Sequence, residues 1–282
     1  MDNIKIAFVV TMHQSEKISP YGLMLIDRCL NSIRESVSVC EYKVFLFDNS
    51  STEKIDLSKY SDMNISYTYV EDQTLRGLTG TWNDGVIAAF DEGYDKVFMV
   101  SDDVIFNGSI NYLLMASNDD DVIYGPLCQP GGMYQNPTGT HPQISDEPIQ
   151  EIRDITGTGE VDEIPTSGQL LGGWLFGFTN KFYEKYKRDD GYMFNPGEKY
   201  LWGSQECEFQ LRLWKKGVKS YIVGLAWIYH EKQRSWKYHE GYGYATREDR
   251  DEFMRIKAED YMKWKIKMET PHHMGGKKIE NN

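Results

Sequence analysis

The sequence is short of positive charge, of cysteine and of long apolar runs. Its 31 Lys and Arg face 43 Asp and Glu, which gives a formal net charge of −12. The overall field therefore disfavours nucleic acid and anionic membranes as partners. The four cysteines form no CxxC motif and no Cys/His cluster, which argues against a structural zinc site and against a disulfide framework. No apolar run reaches the roughly 20 residues of a membrane-spanning helix, so we expect a cytoplasmic protein with reduced thiols.

Apolar runs and helical patterns alternate in the first half of the chain. Apolar residues at helical spacing follow residue 22, and a second such stripe begins at Trp82, which predicts two helices. Continuous β-rich runs predict strands buried on both faces at residues 4–10, 43–47, 65–70 and 96–100. This alternation predicts an α/β fold with a mostly parallel sheet, which binds ligands at the carboxyl ends of its strands.

The second half is less regular. Residues 128–168 contain many Gly, Pro, Thr and acidic residues without a clear period, so we expect partial order there, such as a hairpin or a lid. A helix is predicted over 203–216, ended by Gly217, then a strand over 220–230 and a charged helix over 247–268.

No internal repeat or clear linker divides the chain, so we expect one main domain. We predict a donor half over about residues 1–127 and an acceptor half over about 128–246. A C-terminal helical extension and flexible tail are predicted over 247–282.

Two adjacent carboxylates, Asp102 and Asp103, directly follow the strand predicted at 96–100. One interpretation is a solvated turn with a helix-capping aspartate. The other is a divalent-metal site, because Mg²⁺ and Mn²⁺ favour oxygen ligands and are often held by one or two carboxylates plus substrate phosphates. A bound cation would also explain how so acidic a protein binds a diphosphate.

Other polar residues could join this site. Glu206 and Glu208 lie near a predicted helix N-terminus, where the helix dipole alone favours negative charge. A carboxylate beside the neighbouring Trp202 would also suit general-base work. His230 ends a predicted strand and becomes a metal ligand only if the fold brings it to the aspartates. The glycine-rich run 75–85 could let the backbone approach a phosphate or a sugar.

Together these motifs resemble a GT-A glycosyltransferase, and most of all the large inverting family that uses nucleotide-sugar donors. The resemblance covers roughly residues 4–236. IAFVVTMHQ and VFLFDNSS resemble the first two strands of that family, and GLTGTWNDGVIAAFDEGYDKVFMVSDDV resembles its run of Gly, Asn and Ala ending in the metal motif, here Ser101-Asp102-Asp103. GGWLFGF and WGSQECEFQLRLWKKG resemble its acceptor-side segment and the helix that carries the catalytic base.

The resemblance implies a Rossmann-like parallel sheet flanked by helices, an acceptor lobe and a role for each matched residue. It implies Glu206 as the catalytic base, with Glu208 as the alternative, and Asp103 and His230 as ligands of Mn²⁺ or Mg²⁺. The donor, a UDP- or GDP-sugar, would be bound by Thr11, Asp48 (at the nucleobase), Gly77, Asn83, Asp102 and Arg234. The acceptor, a glycan or glycoconjugate hydroxyl, would be bound by Trp174, Trp202 and Glu208.

Alternatives remain open at this point. We expect single displacement with inversion, but WG-x(4)-E-x(3)-R-x-W-x(2)-G also resembles a segment of the retaining polypeptide N-acetylgalactosaminyltransferases. A nucleotidyltransferase would share the sheet and the carboxylate-bound metal, although the loop after the first strand holds only one Gly and one Lys. The Ser in the metal motif, and Glu at a base position where Asp is commoner, suit a catalytically inactive carbohydrate-binding module.

Overall fold

The computed structural model describes residues 4–15, 21–71, 73–129, 152–154, 171–195, 205–214 and 216–231. The helix predicted over 247–268 and the C-terminal tail lie outside these ranges, as does most of the segment 128–168. In the described ranges, none of the helices has the length and apolarity needed to cross a bilayer.

The first half forms a parallel sheet with helical crossovers, as predicted. Its strands are β1 (Lys5–Met12), β2 (Glu41–Asn49), β3 (Ile65–Val70) and β4 (Lys96–Ser101). They pair in parallel in the order β3-β2-β1-β4. The crossovers contain α1 (Gly22–Ser36), a short 3-10 helix (Leu57–Tyr60) and α2 (Gln73–Asp91).

The second half extends the same sheet with mixed strand directions. Its elements are β5 (Val104–Ile105), α3 (Ile110–Ala116), β6 (Val122–Gln129), β7 (Ile152–Asp154), β8 (Leu175–Thr179), α4 (Asn180–Tyr186), α5 (Gln205–Trp214) and β9 (Lys219–His230). The sheet continues from β4 in the order β8-β6-β9-β5, and β7 also pairs with β9. β8 runs antiparallel to both β4 and β6, whereas β6 and β9 are parallel. The predicted α/β architecture is confirmed, with antiparallel pairs added in this half.

Both faces of the sheet are buried, which explains the continuous apolar runs in the sequence. Along β1, Phe8 and Val10 face a core cluster that includes α1, whereas Ala7 and Val9 face a second cluster that includes α2. Helix α2 packs very close to the sheet, since a Cβ on Gly85 would lie 2.4 Å from Val9 Cγ1. Only glycine fits there without a shift of the helix.

Helix boundaries differ from prediction at one end. Helix α2 begins at Gln73, so the whole run 75–85 is helical, including the part before Trp82 that the sequence analysis interpreted as a loop. Its glycines lowered the helical signal, but the packing of α2 on the sheet outweighs that cost. Gly217, predicted to end α5, has a positive φ angle of 81°, and Gly93, which follows α2, has one of 79°.

Within the described ranges, Cys29, Cys40 and Cys128 form no disulfide with one another. Cys29 and Cys128 are buried and Cys40 is half-buried. Burial raises the pKa of the Cys40 thiol to about 11, so this thiol stays protonated at neutral pH.

Candidate active site

The sheet brings Asp103 and His230 into contact. Residue Asp103 directly precedes β5, and β5 pairs antiparallel with the end of β9, so that Val104 lies opposite His230. His230 Nε2 lies 3.1 Å from Asp103 Oδ2, and Ser101 Oγ donates to Asp103 Oδ1 at 2.7 Å. The two residues are buried, with 7% of Asp103 and 9% of His230 exposed. Residues 127 positions apart in sequence thus form one polar pair.

Asp102 lies in the same acidic centre. Burial, followed by the negative charge of Asp103, raises the pKa of the Asp102 carboxyl well above its usual range. The backbone N–H of His13 partly opposes this shift. Two adjacent carboxylates that are shielded from solvent repel each other when both are ionised. A nearby cation offsets this electrostatic repulsion.

The donor set suits a hard divalent cation that also binds phosphate. Within the described ranges, no group of three or more His, Cys, Asp or Glu side chains is arranged to hold a metal. Asp103 Oδ2 and His230 Nε2 are nevertheless two fitting ligand atoms, and Mg²⁺ and Mn²⁺ commonly take their remaining ligands from water and substrate phosphates. His230 Nδ1 is buried and has no hydrogen-bond partner among the described residues.

Trp174 forms the wall beside this pair. Its ring lies against that of His230, with centroids 5.1 Å apart and planes 31° apart. Its carbonyl accepts from the backbone N–H of Ser101 at 2.9 Å, just before the aspartates. A Cβ on Gly172 would lie 2.3 Å from the Trp174 ring, so the glycine makes room for this side chain.

Glu206 lies on the other side of the same segment. It is the second residue of α5 and is half-buried. A Cβ on Gly173 would lie 3.3 Å from Glu206 Cδ and 3.4 Å from Oε2. The two glycines therefore allow Trp174 and the Glu206 carboxylate to approach the same short stretch of backbone. The predicted base, acceptor aromatic and metal ligands are consequently neighbours.

Gln210, which the sequence analysis did not single out, holds this arrangement in place. It is 2% exposed. Its Nε2 donates to Leu171 O, and its Oε1 accepts from Leu171 N, both at 2.8 Å. Ser220 Oγ donates to the same Oε1 at 3.0 Å. Helix α5 is thereby fixed to the backbone that leads into Gly172. A glutamine in an amphipathic helix gives no signal of this pairing, because the partner is a distant backbone segment.

The predicted nucleobase residue, Asp48, has both carboxylate oxygens bonded inside the protein. It is fully buried, accepts from Ser51 N at 2.9 Å and accepts from the Tyr67 hydroxyl at 2.8 Å. Burial, then the bond to Asp48, raises the pKa of Tyr67. The next residue, Asn49, is 7% exposed, and its Oδ1 has no partner among the described residues. Asn49 Oδ1 therefore provides a hydrogen-bond acceptor for a ligand.

The loops after β1 and β2 are fixed to each other. His13 Nδ1 donates to the Asn49 carbonyl at 2.7 Å, and burial lowers the pKa of His13. Gln14 N donates to Ser51 Oγ, and Gln14 Oε1 accepts from Thr52 Oγ1. Thr11, predicted at the donor site, is buried at the end of β1 and lies between Phe47 and Ser101 in register.

Of the remaining predicted site residues, Asn83 is hydrogen-bonded inside the protein, and the others are not described or are described only in their backbone. Asn83 is buried, donates to Phe194 O at 2.9 Å, and accepts from the backbone N–H groups of Met193 and Phe194. Its amide therefore positions the loop after α4. Trp202 and Arg234 lie outside the described residues, and the structure describes the backbone but not the side-chain surroundings of Gly77 and Glu208.

Comparison with known proteins gives similarity in structure alone. No family model matches the sequence, and no curated protein matches it. GalNAc-T7, solved with UDP, GalNAc and Mn²⁺, aligns with a TM-score of 0.57 at 16% identity, over 81% of this chain and 44% of that chain. TarS of S. aureus aligns with a TM-score of 0.50 at 15% identity, over 83% of this chain and 63% of that one. TarS in complex with UDP-GlcNAc aligns with a TM-score of 0.50 over 80% and 58%.

The chain thus spans between about two fifths and two thirds of the length of these solved proteins. At such low sequence identity, the structural similarity shows the fold alone. It agrees with the strand order seen here and with the resemblance in the sequence motifs. The chain has the GT-A fold, the α/β fold of nucleotide-sugar glycosyltransferases.

Proposed function

We propose that this protein is a divalent-metal-dependent glycosyltransferase that moves a sugar from a nucleoside-diphosphate sugar to an acceptor hydroxyl. The observation that carries the proposal is the contact between Asp103 and His230 at the carboxyl edge of the sheet, with Glu206 across the Gly172–Trp174 segment. A folding role alone would not require an aspartate and a histidine to be buried together at this edge, beside the half-buried Asp102.

Asp103 and His230 would hold Mn²⁺ or Mg²⁺, with Asp102 beside the donor ribose or the metal-bound waters. The cation, when bound, supplies positive charge to the donor diphosphate and stabilises it as a leaving group. This role matters in a protein with a net charge of −12, which otherwise repels a diphosphate.

At the nucleotide end we assign separate roles to two neighbouring residues. Asp48 orders the turn after β2 through Ser51 and Tyr67. Asn49 Oδ1, without a partner among the described residues, accepts a hydrogen bond from a nucleobase N–H. Uracil, which carries an N–H donor between two carbonyls, fits such an acceptor. UDP is bound in the GalNAc-T7 structure and UDP-GlcNAc in a TarS structure, so UDP-sugars are the first donors to test.

Glu206 accepts the proton of the acceptor hydroxyl while the hydroxyl oxygen bonds to the anomeric carbon. The bond from that carbon to the diphosphate oxygen breaks in the same step, so the configuration inverts. Trp174 Nε1 has no hydrogen-bond partner among the described residues and would donate to a sugar hydroxyl, with the indole face as an apolar wall. The donor is assigned to residues 1–127 and the acceptor to 128–246.

Retention is the second candidate. It is favoured by the similarity to GalNAc-T7 and by the Trp202–Gly217 sequence segment discussed above. NMR of the sugar released during slow donor hydrolysis distinguishes the two, because the anomer that appears first has the inverted or the retained configuration.

The test of the proposal compares Glu206→Gln with Glu35→Gln, which changes an exposed glutamate on α1. Both proteins are assayed for turnover of UDP- and GDP-sugars with Mn²⁺ and with EDTA. General-base catalysis contributes about 10²- to 10⁴-fold, so Glu206→Gln should lose at least about 100-fold in kcat, whereas Glu35→Gln keeps wild-type turnover. Near wild-type kcat in Glu206→Gln would remove Glu206 as the base, and full turnover in EDTA would remove the metal.

A further inference from the structure

An ion pair with a buried carboxylate lies next to the Asp103–His230 contact. Glu231 follows His230, and its side chain is only 1% exposed. Arg28 Nη1 of α1 contacts Glu231 Oε1, and the Arg28 side chain is 43% exposed. The partly exposed guanidinium of Arg28 therefore contacts a buried carboxylate, and that carboxylate belongs to the residue that follows the proposed metal ligand His230.

The backbone of Glu231 connects the ion pair to the site. Glu231 N donates to the carbonyl of Asp103 at 2.9 Å, while the preceding His230 contacts the Asp103 side chain. The position of Glu231 thus sets the separation of the Asp103 and His230 backbones. Any shift of Glu231 is transmitted to both residues, since each is bonded to the same short stretch.

Helix α1 makes a row of contacts with the strands that carry these residues. Cys29 Sγ lies 3.8 Å from Ser101 O, the residue before the aspartates. Ser32 Oγ accepts from Phe106 N, just after β5, at 2.9 Å. Arg28 adds the contact beyond β9. One helix face therefore braces the three backbone segments that meet at Asp103 and His230.

The energetics suggest a role beyond folding. An ion pair with a buried carboxylate adds little net stability, because desolvation offsets the attraction, and apolar replacements often fold as well or better. The Arg28–Glu231 ion pair instead fixes the position of the Glu231 backbone.

We propose that Arg28 is a positioning residue for the metal site, acting through Glu231 to hold His230 against Asp103. The proposal rests on the proposed function, because it assumes that these two residues bind a divalent cation. Residues that orient metal ligands without touching the metal typically contribute 10- to 100-fold to metal affinity.

The test measures Mn²⁺ binding by EPR, with Mn²⁺ alone as the probe, and unfolding by urea. The variants are Arg28→Met, Arg28→Lys and the double variant Arg28→Met/Glu231→Met. The control is Arg34→Met on the same helix, which removes a 3.4 Å ion pair to exposed Asp62. We expect Arg28→Met to bind Mn²⁺ about tenfold more weakly or worse, Arg28→Lys to recover part of the affinity, and Arg34→Met to match wild type.

The double variant separates positioning from stability. It leaves no unpaired buried charge, so we expect its urea midpoint to return toward wild type while its Mn²⁺ affinity stays low. Wild-type Mn²⁺ affinity in the double variant or in folded Arg28→Met would overturn the positioning role and leave the proposed function intact. A wild-type protein that binds no Mn²⁺ would overturn both.

Discussion

At the scale of single residues, two adjacent glycines determine how the site is assembled. Gly172 gives space to Trp174, and Gly173 gives space to Glu206. Substituting Gly172 by alanine places a methyl group 2.3 Å from the indole ring, so the ring must leave its position against His230. Overpacking of this kind costs typically 1–3 kcal/mol, and here it also removes the wall of the proposed acceptor site.

We therefore expect Gly172→Ala to lower kcat/KM for the acceptor at least about tenfold and to lower the urea midpoint modestly. Gly108→Ala is the control, because a Cβ there meets nothing within 4 Å. Steady-state kinetics with varied acceptor and urea unfolding measure the two effects. Unchanged acceptor kinetics in a folded Gly172→Ala protein would show that Trp174 has no part in acceptor binding.

The residues of the site were predictable from sequence to different degrees. Asp103 directly follows a buried parallel strand, so the edge rule for parallel sheets placed it near the ligand side. The contact of His230 with Asp103 depends on the pairing of β5 with β9, which the sequence does not report. Asp48 and Asn49 are adjacent polar residues at the same strand end, and no local pattern tells which one faces inward. That outcome depends on Tyr67, which bonds Asp48 from the neighbouring strand. The roles of Asn83 and Gln210 likewise depend on backbone partners that are distant in sequence.

At the scale of elements, a buried lysine on β4 donates hydrogen bonds to the end of α3 and should make stability depend on pH. Lys96 is 3% exposed and donates to Leu114 O and Ser117 Oγ at the C-terminal end of α3. Burial lowers the pKa of Lys96 to about 8, while Cys40 and Asp95 oppose the shift. In the unfolded chain the lysine pKa is about 10.4.

Between pH 8 and about 10 the unfolded chain therefore holds a proton that the folded protein has released. Stability rises with pH wherever the unfolded state binds more protons. We expect the unfolding free energy of wild type, minus that of Lys96→Met, to increase by about 2 kcal/mol from pH 7 to pH 10. Lys59→Met, at an exposed lysine, is the control and should show no such trend. Urea unfolding across this pH range measures it, and a flat difference would contradict the buried, depressed lysine.

The elements themselves were predictable where one pattern dominated. The four parallel strands of the donor half are continuous apolar runs, and the structure confirms them within a few residues. Helix α2 extends further toward the N-terminus than predicted because its glycines are tolerated where the helix packs on β1 and β2. The antiparallel insertion of β8 between β4 and β6 depends on pairing partners far apart in sequence, which periodicity does not report.

At the scale of the whole molecule, the net charge of −12 opposes the binding of a diphosphate, and the proposed function assigns a divalent cation to offset it. The acidic field repels free UDP, and no basic phosphate-binding loop follows β1 in the sequence. In the proposed function, a divalent cation held by Asp103 and His230 would reverse the local sign of the field. Metal and nucleotide should therefore stabilise the folded protein together far more than either does alone.

We expect UDP at about 100 times its Kd, added to Mn²⁺-saturated protein, to raise Tm by roughly 5–10 °C above that with Mn²⁺ alone, since such saturation by one ligand adds about 2.7 kcal/mol. UDP in EDTA should give a small shift, and one that grows with added NaCl, because salt screens the repulsion between the anionic protein and the nucleotide. The matched control, Asp103→Asn, keeps the side-chain size, removes the charged ligand and should lose the joint effect. Differential scanning fluorimetry of wild type and Asp103→Asn, with UDP and GDP in parallel, measures these shifts. A full shift by UDP in EDTA would mean that protein groups alone neutralise the diphosphate, and Arg and Lys side chains would then replace the metal in the mechanism.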